Sequence, residues 1–215
     1  MGTTVRDVMT SRVIAVKRNA DFKQIAWVLR QYRVSACPVI DDAGRVVGVV
    51  SEADLLYKTA DCELPAGLIR LRWKLGEESK ITAVTAAQLM TSPAVTIHPD
   101  TPIAVAARVM RDRRLKRLPV VDEDGSLIGI VTRVDLLSVY DRPDSDIQAE
   151  IMALIVVGAF GLDPADFAVT VSAGVVTLAG LVEQEETALE LLARIRHVEG
   201  VVAVRDRLTV GQRAG

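Results

Sequence analysis

Two short motifs in this 215-residue chain set a hydroxyl and a carboxylate three residues apart. They are Ser51-x-x-Asp54 and Thr132-x-x-Asp135. Each follows an apolar run that opens on a glycine, Gly48 or Gly129. Two kinds of chemistry fit this spacing. In one, hydroxyl and acid form a capping box that satisfies the exposed N–H groups of a helix start. In the other, the helix start receives an anion, because its unpaired N–H groups and its dipole favour phosphate. The hydroxyl then adds a donor to the phosphate, and the acid one turn on accepts hydrogen bonds from a ribose. Apolar strands on either side would cover an adenine face. The spacing alone leaves both readings open.

No catalytic set accompanies these motifs. His98 and His197 are the sequence's two histidines, and neither has a second ligand at metal spacing. Cys37 has no histidine near it in sequence and reads as a small buried residue. No phosphate loop of the Gly-x-x-x-x-Gly-Lys type occurs, nor a dinucleotide fingerprint. The chain therefore reads as a binding device rather than an enzyme, with no metal and no cofactor.

The motifs belong to a longer repeat. A shift of 81 residues lays Met9-Thr10-Ser11 on Met90-Thr91-Ser92 and Pro38-Val39-Ile40-Asp41 on Pro119-Val120-Val121-Asp122. The same shift lays Gly48–Leu56 on Gly129–Leu137. A period this long is no short solenoid unit. It reads as two copies of one small module facing each other, with equivalent clefts between them.

Each copy reads as strand, helix, strand, strand, helix. In the first, Val13–Val16 is a short strand and Asp21–Tyr32 a helix, with its stripe at Phe22, Ile25, Ala26 and Leu29. Ala36–Ile40 and Arg45–Val50 form a hairpin across the turn Asp41–Gly44. Ser51 opens the second helix. In the second copy the strand is Ala94–Ile97, and Thr101-Pro102 starts the helix. The hairpin is Leu118–Val121 with Leu127–Val131, and Thr132 opens a helix that ends near Asp141.

Asp7-Val8-Met9-Thr10, the paired Pro38-Val39 and Pro119-Val120, the Asp-x-x-Gly turns and the two Gly-h-h-[Ser/Thr]-x-x-Asp-Leu segments (h for apolar) together resemble the cystathionine-β-synthase (CBS) domain. The resemblance covers repeats at 5–60 and 83–142, joined by a linker or arm at 61–82. It implies a pseudo-twofold α/β (α+β) pair that binds AMP, ADP or ATP, or in some cases S-adenosylmethionine, and that dimerises through the repeats. Carried over by position, Asp54 and Asp135 would hold ribose, and Ser51 and Thr132 would face phosphate. Thr10 and Thr91 would line the adenine end. Ala36, Cys37 and Pro38, with Arg117, Leu118 and Pro119, would form cleft walls. Lys116, Arg117 and Arg133 stand beside the second motif in sequence, where the first has Ser35, Ala36 and Glu52. Phosphate is thus expected to bind more tightly at Thr132/Asp135.

The remainder differs in composition. Residues 1–145 hold 21 Lys/Arg against 18 Asp/Glu, whereas residues 146–215 hold 5 against 10. Asp146–Phe160 reads as a helix and Phe167–Val171 with Val175–Leu178 as a hairpin. Glu183–His197 reads as an amphipathic helix and Val201–Val210 as a last strand. Val169-x-Val171-x-x-Gly174-x-Val176-x-Leu178-x-Gly180-x-Val182, with Val198-x-Gly200-Val201, resembles the BON domain over 145–211. That resemblance implies a phospholipid surface. The acidic balance argues against anionic lipid for the domain as a whole, although Arg194, Arg196, Arg205 and Arg207 could form a local patch. A protein partner fits at least as well.

Two function classes follow. One is a nucleotide sensor that transmits ligand state through the tail to a protein partner or a surface. The other is a non-catalytic scaffold, or a phospholipid-associated interaction protein, with vestigial clefts. Nucleic acid fits poorly. Aromatics make up 4 % of the chain, too few for a stacking platform. Arg70, Arg72 and Lys74 around Trp73 come with no helix-turn-helix cue. Two cysteines without a disulfide pattern, and no signal peptide, point to the cytoplasm, with the membrane periphery as an option.

Overall fold

The computed structural model describes residues 2–61 and 84–211. The arm at 61–82, with Cys62, Trp73 and the cations beside it, lies outside the described residues except for Asp61. The chain divides into two compact units, one of Thr4–Asp135 and one that runs from Leu136 onward and takes in the residues ahead of Thr4.

The first unit contains both repeats. Repeat one runs α1 (Val5–Val8), β1 (Val16–Lys17), α2 (Phe22–Gln31), β2 (Ala36–Ile40), β3 (Val46–Ser51) and α3 (Glu52–Asp61). Repeat two runs α4 (Ala86–Leu89), α5 (Ile103–Asp112), β4 (Arg117–Val121), β5 (Leu127–Thr132) and α6 (Arg133–Leu137).

The reason α2 forms is visible in its stripe. Ile25, Val28 and Leu29 are buried on one face, and Asp21 caps the start by accepting the Gln24 N–H at 2.8 Å. Asp21→Ala should cost about 1 kcal/mol of stability, read as a lower denaturation midpoint at unchanged slope. Both long helices of the pair end in a left-handed arginine, Arg33 at φ 53° and Arg114 at φ 55°. These residues are counterparts in the two repeats, so the same helix exit is built twice.

β2 pairs antiparallel with β3, and β4 with β5, each with one register shift at the equivalent place. The turns are also equivalent. Asp41 accepts from the N–H of Ala43 and Arg45, as Asp122 does from Asp124 and Ser126. Gly44 and Gly125 supply the positive φ, 84° and 80°, that closes each turn.

Some expected elements are shorter than their sequence pattern. Val13–Val16 contributes only Val16–Lys17, parallel to β2. Ala94–Ile97 contributes a single bridge, Ile97 with Val120. A strand exists only where a neighbour offers a ladder, and these segments reach one at their last residues. α6 stops at Leu137 and passes into a 3₁₀ turn, Ser138–Asp141. α1 and α4 carry no apolar stripe long enough to read, and each is held by a capping box, Thr4 with Asp7 and Thr85 with Gln88.

The second unit holds α7 (Asp144–Glu150), which continues as a π-helix over Ile151–Ala159. β6 (Phe167–Ser172), β7 (Val175–Val182), α8 (Glu185–Ile195) and β8 (Ala203–Val210) follow. β7 is central, antiparallel to β6 and parallel to β8. Its core joins Ile147, Ile151, Phe167, Leu178, Leu191 and Ile195. Composition changes near 145, but compactness changes at 136. Ile147 enters the tail core, and Asp144 accepts the Ala173 and Gly174 N–H groups at 2.7 and 2.9 Å. Among the described residues, no helix is long and apolar enough to cross a membrane, and no cluster of metal-ligating side chains occurs.

Candidate functional site

The two hydroxyl–acid motifs take the same local form. The Ser51 N–H and Oγ donate to one oxygen of Asp54 at 2.9 and 2.7 Å. The Thr132 N–H and Oγ1 donate to one oxygen of Asp135 at 2.7 and 2.8 Å. Each strand therefore ends by handing its last N–H to the acid of the helix it starts. A carboxylate has about four acceptor sites, and two of the bonds Asp54 makes go to Ser51. Asp135 is half-buried, whereas Asp54 is buried at 7 % exposure.

Asp54 is buried but stands against space. A cavity of about 480 Å³ opens beside it. Ser51, Glu52 and Asp54 form one wall, at the start of α3. Ser35 and Ala36 form a second, Thr91 and Pro93–Val95 a third, and Arg114–Arg117 a fourth. Residues from both repeats thus enclose one space.

The crossing is built into the pair. Thr91 exchanges both backbone bonds with Val49, at 3.1 and 2.9 Å, and its counterpart Thr10 does so with Ile130, at 2.9 and 3.0 Å. Just before each threonine, a methionine covers the other repeat's strand glycine. A Cβ on Gly48 would lie 2.4 Å from the Met90 sulfur, and one on Gly129 would lie 2.6 Å from the Met9 sulfur. At both places the methionine of the other repeat already fills the space that a side chain would take.

The cations are shared differently from their order in sequence. Lys116 and Arg117 line the Ser51/Asp54 cavity. Arg117 donates to the Ala36 carbonyl at 2.8 Å and to the Ser35 hydroxyl, both in repeat one. Arg133 turns to the Leu115 carbonyl at 2.7 Å. The expectation that Lys116 and Arg117 serve Thr132/Asp135 rested on adjacency along the chain. Arg117 instead reaches across the repeat boundary, and Lys116 lies beside it on the cavity wall. Burial lowers the pKa of Arg117, while Cys37 and Glu52 act to raise it.

Of the other expected wall residues, Ala36 lines the cavity and Cys37 does not. Successive strand residues point to opposite faces, and Cys37 falls on the core side with Ile25, Val39 and Val50. Burial pushes its thiol up to about 11, against the pull of Arg117. Pro38, Leu118 and Pro119 are buried and stand outside the lining of this cavity. Glu52, named from sequence only as the counterpart of Arg133, lines it, and so do Arg114 and Pro93–Val95, which were not singled out from sequence. The repeat shift could have flagged Arg114, since it is the counterpart of Arg33 at a shared helix exit.

Comparison with known proteins agrees with this architecture. The CBS domain matches at residues 5–61 and 86–142, and the BON domain at 143–212. An uncharacterized protein of Methanocaldococcus jannaschii, MJ1426, is 33 % identical over 149 residues, covering 62 % of this chain and 88 % of that protein. The chloroplastic CBS domain-containing protein CBSX2 of Arabidopsis thaliana is 35 % identical over 145 residues, covering 61 % of each. The crystal structure of CBSX2 in complex with AMP superposes with a TM-score of 0.56 at 34 % identity, over 64 % of this chain and 95 % of that one.

Proposed function

The chain belongs to the CBS-domain family, with two CBS repeats followed by a BON domain, and on that premise we propose that its pair is a non-catalytic regulatory module that binds an adenosine nucleotide at Ser51/Asp54. The observation that carries this reading is the cavity itself. It brings a helix start, a hydroxyl and an acid from one repeat against Thr91, Lys116 and Arg117 of the other. The CBSX2 relative, crystallised with AMP, supports the ligand class. In this reading Ser51 faces phosphate, Asp54 accepts from the ribose hydroxyls, and Val49, Ala94 and Val95 supply apolar surface for the base.

A sensor needs a ligand that binds one conformation better than another. The walls of the cavity come from both repeats, so a ligand that bridges them favours one pose of the pair. The BON domain would pass that preference to a partner. Arg194 is engaged within its own domain, paired with Glu190 at 2.9 Å and stacked over Phe160 at 5.2 Å. Arg205 and Arg207, two residues apart on β8, share one face, and Asp206 falls on the other. The excess of 10 Asp/Glu over 5 Lys/Arg across residues 146–215 favours a protein partner over anionic lipid.

The test is thermal denaturation of protein purified without added nucleotide, with AMP, ADP and ATP titrated in turn. The melting temperature should rise with ligand concentration, as mass action requires of a ligand that binds the folded state. A flat response across the panel would return the chain to the scaffold reading. Native mass spectrometry of the same sample should show the pair as a homodimer.

A further inference from the structure

Arg117 bonds to the backbone of its own counterpart. Ala36, whose carbonyl it reaches at 2.8 Å, lies 81 positions earlier, and Ser35, whose hydroxyl it also meets, corresponds to Lys116. The bond therefore joins the two repeats where they are most nearly equivalent. Both acceptors are neutral. The guanidinium is half-buried at the edge of the cavity, so it has given up water without gaining an anionic hydrogen-bond partner in exchange.

A guanidinium has five donors in a rigid fork that suits phosphate. Bonds to a charged oxygen are roughly twice as strong as bonds to neutral ones. An anion entering the cavity thus outbids a carbonyl and a hydroxyl for Arg117. The surroundings do not cancel this preference. Arg114 and Lys116 add positive charge to the same wall, opposed by Glu52 and by Asp54, which is already engaged with Ser51.

We infer, building on the nucleotide reading above, that Arg117 makes the Ser51/Asp54 cavity a reader of ligand charge. It selects polyanionic adenosine nucleotides over adenosine and S-adenosylmethionine. When such a ligand binds, it turns from Ser35 and Ala36 toward the phosphate. Adenosine offers it no anion, and S-adenosylmethionine brings a sulfonium cation. The turn also breaks a bond between repeats, so the charge of the ligand is reported as a change in how the repeats are held.

Isothermal titration calorimetry on the full chain tests this with ADP, AMP, adenosine and S-adenosylmethionine. Wild type should bind ADP most tightly and S-adenosylmethionine most weakly. Arg117→Gln should weaken ADP by at least about tenfold and change adenosine by less than about twofold. Lys116→Gln leaves the bonds to Ser35 and Ala36 untouched. It should lower ADP affinity in the same selective way, and it decides the matter if Arg117→Gln does not fold. An equal loss for ADP and adenosine, or an unchanged ADP affinity in these variants, overturns the charge reading and leaves the nucleotide site standing. A wild type that binds none of the four ligands sinks both.

Discussion

Asp54→Asn is expected to weaken AMP binding by about 1.5–3 kcal/mol, the range for a hydrogen bond to a charged group, while the chain stays folded. The substitution keeps an amide oxygen where the carboxylate now accepts from the Ser51 N–H and Oγ. The cap therefore survives in neutral form. What is lost is the other carboxylate oxygen, replaced by an NH2 donor, and with it the charged acceptor for the ribose hydroxyls. Calorimetry with AMP measures the affinity, and a denaturation curve measures the cap. Should stability fall while affinity holds, Asp54 is a capping residue only. Asp135→Asn is the matched control, because its motif is built from the same bonds. If Asp135→Asn weakens AMP and Asp54→Asn does not, the site belongs at the second motif.

What the sequence makes legible is whatever depends on near neighbours or on the repeat. The hairpins, their turns and the stripe of α2 follow from spacing within a dozen residues. The Ser51–Asp54 and Thr132–Asp135 bonds span three residues, so the capping reading of each motif is available from spacing. The repeat itself identifies equivalent positions, including the two left-handed arginines. Contacts between repeats are a different matter. Thr91 sits beside Val49, Thr10 beside Ile130, and Arg117 beside Ser35 and Ala36. Nothing in local periodicity reports a contact across 81 residues. Sequence adjacency therefore assigned Lys116 and Arg117 to Thr132/Asp135, and the fold brings them to Ser51/Asp54. The tail shows a second limit. Ile151–Ala159 is apolar almost throughout, so no stripe distinguishes a π-helix from an α-helix there.

The crossing of the repeats has its own expected result. Gly48→Ala should destabilise the protein by about 1–3 kcal/mol, the cost of overpacking a filled site. The added Cβ would meet the Met90 sulfur at 2.4 Å, its Cγ at 2.8 Å and its Cβ at 3.0 Å. Swinging the end of the methionine away does not clear the last of these, so backbone must move as well. Gly129→Ala should cost less. There only the Met9 sulfur lies closer than 3.0 Å, and a flexible side chain can yield. Met90→Ala placed beneath Gly48→Ala removes the sulfur and Cγ, so the double variant should lose less than the two single costs added together. Additive costs would show that Met90 is not what the new methyl meets. Binding should follow the same geometry. Met90 leads directly into Thr91, which lines the cavity, so Gly48→Ala should also weaken AMP. Gly129→Ala acts on Met9 and Thr10, at the lead-in that pairs with Ile130, and should leave AMP binding at Ser51/Asp54 unchanged. If both glycine variants weaken AMP equally, the ligand bridges neither lead-in selectively, and the site does not lie where Thr91 meets Val49.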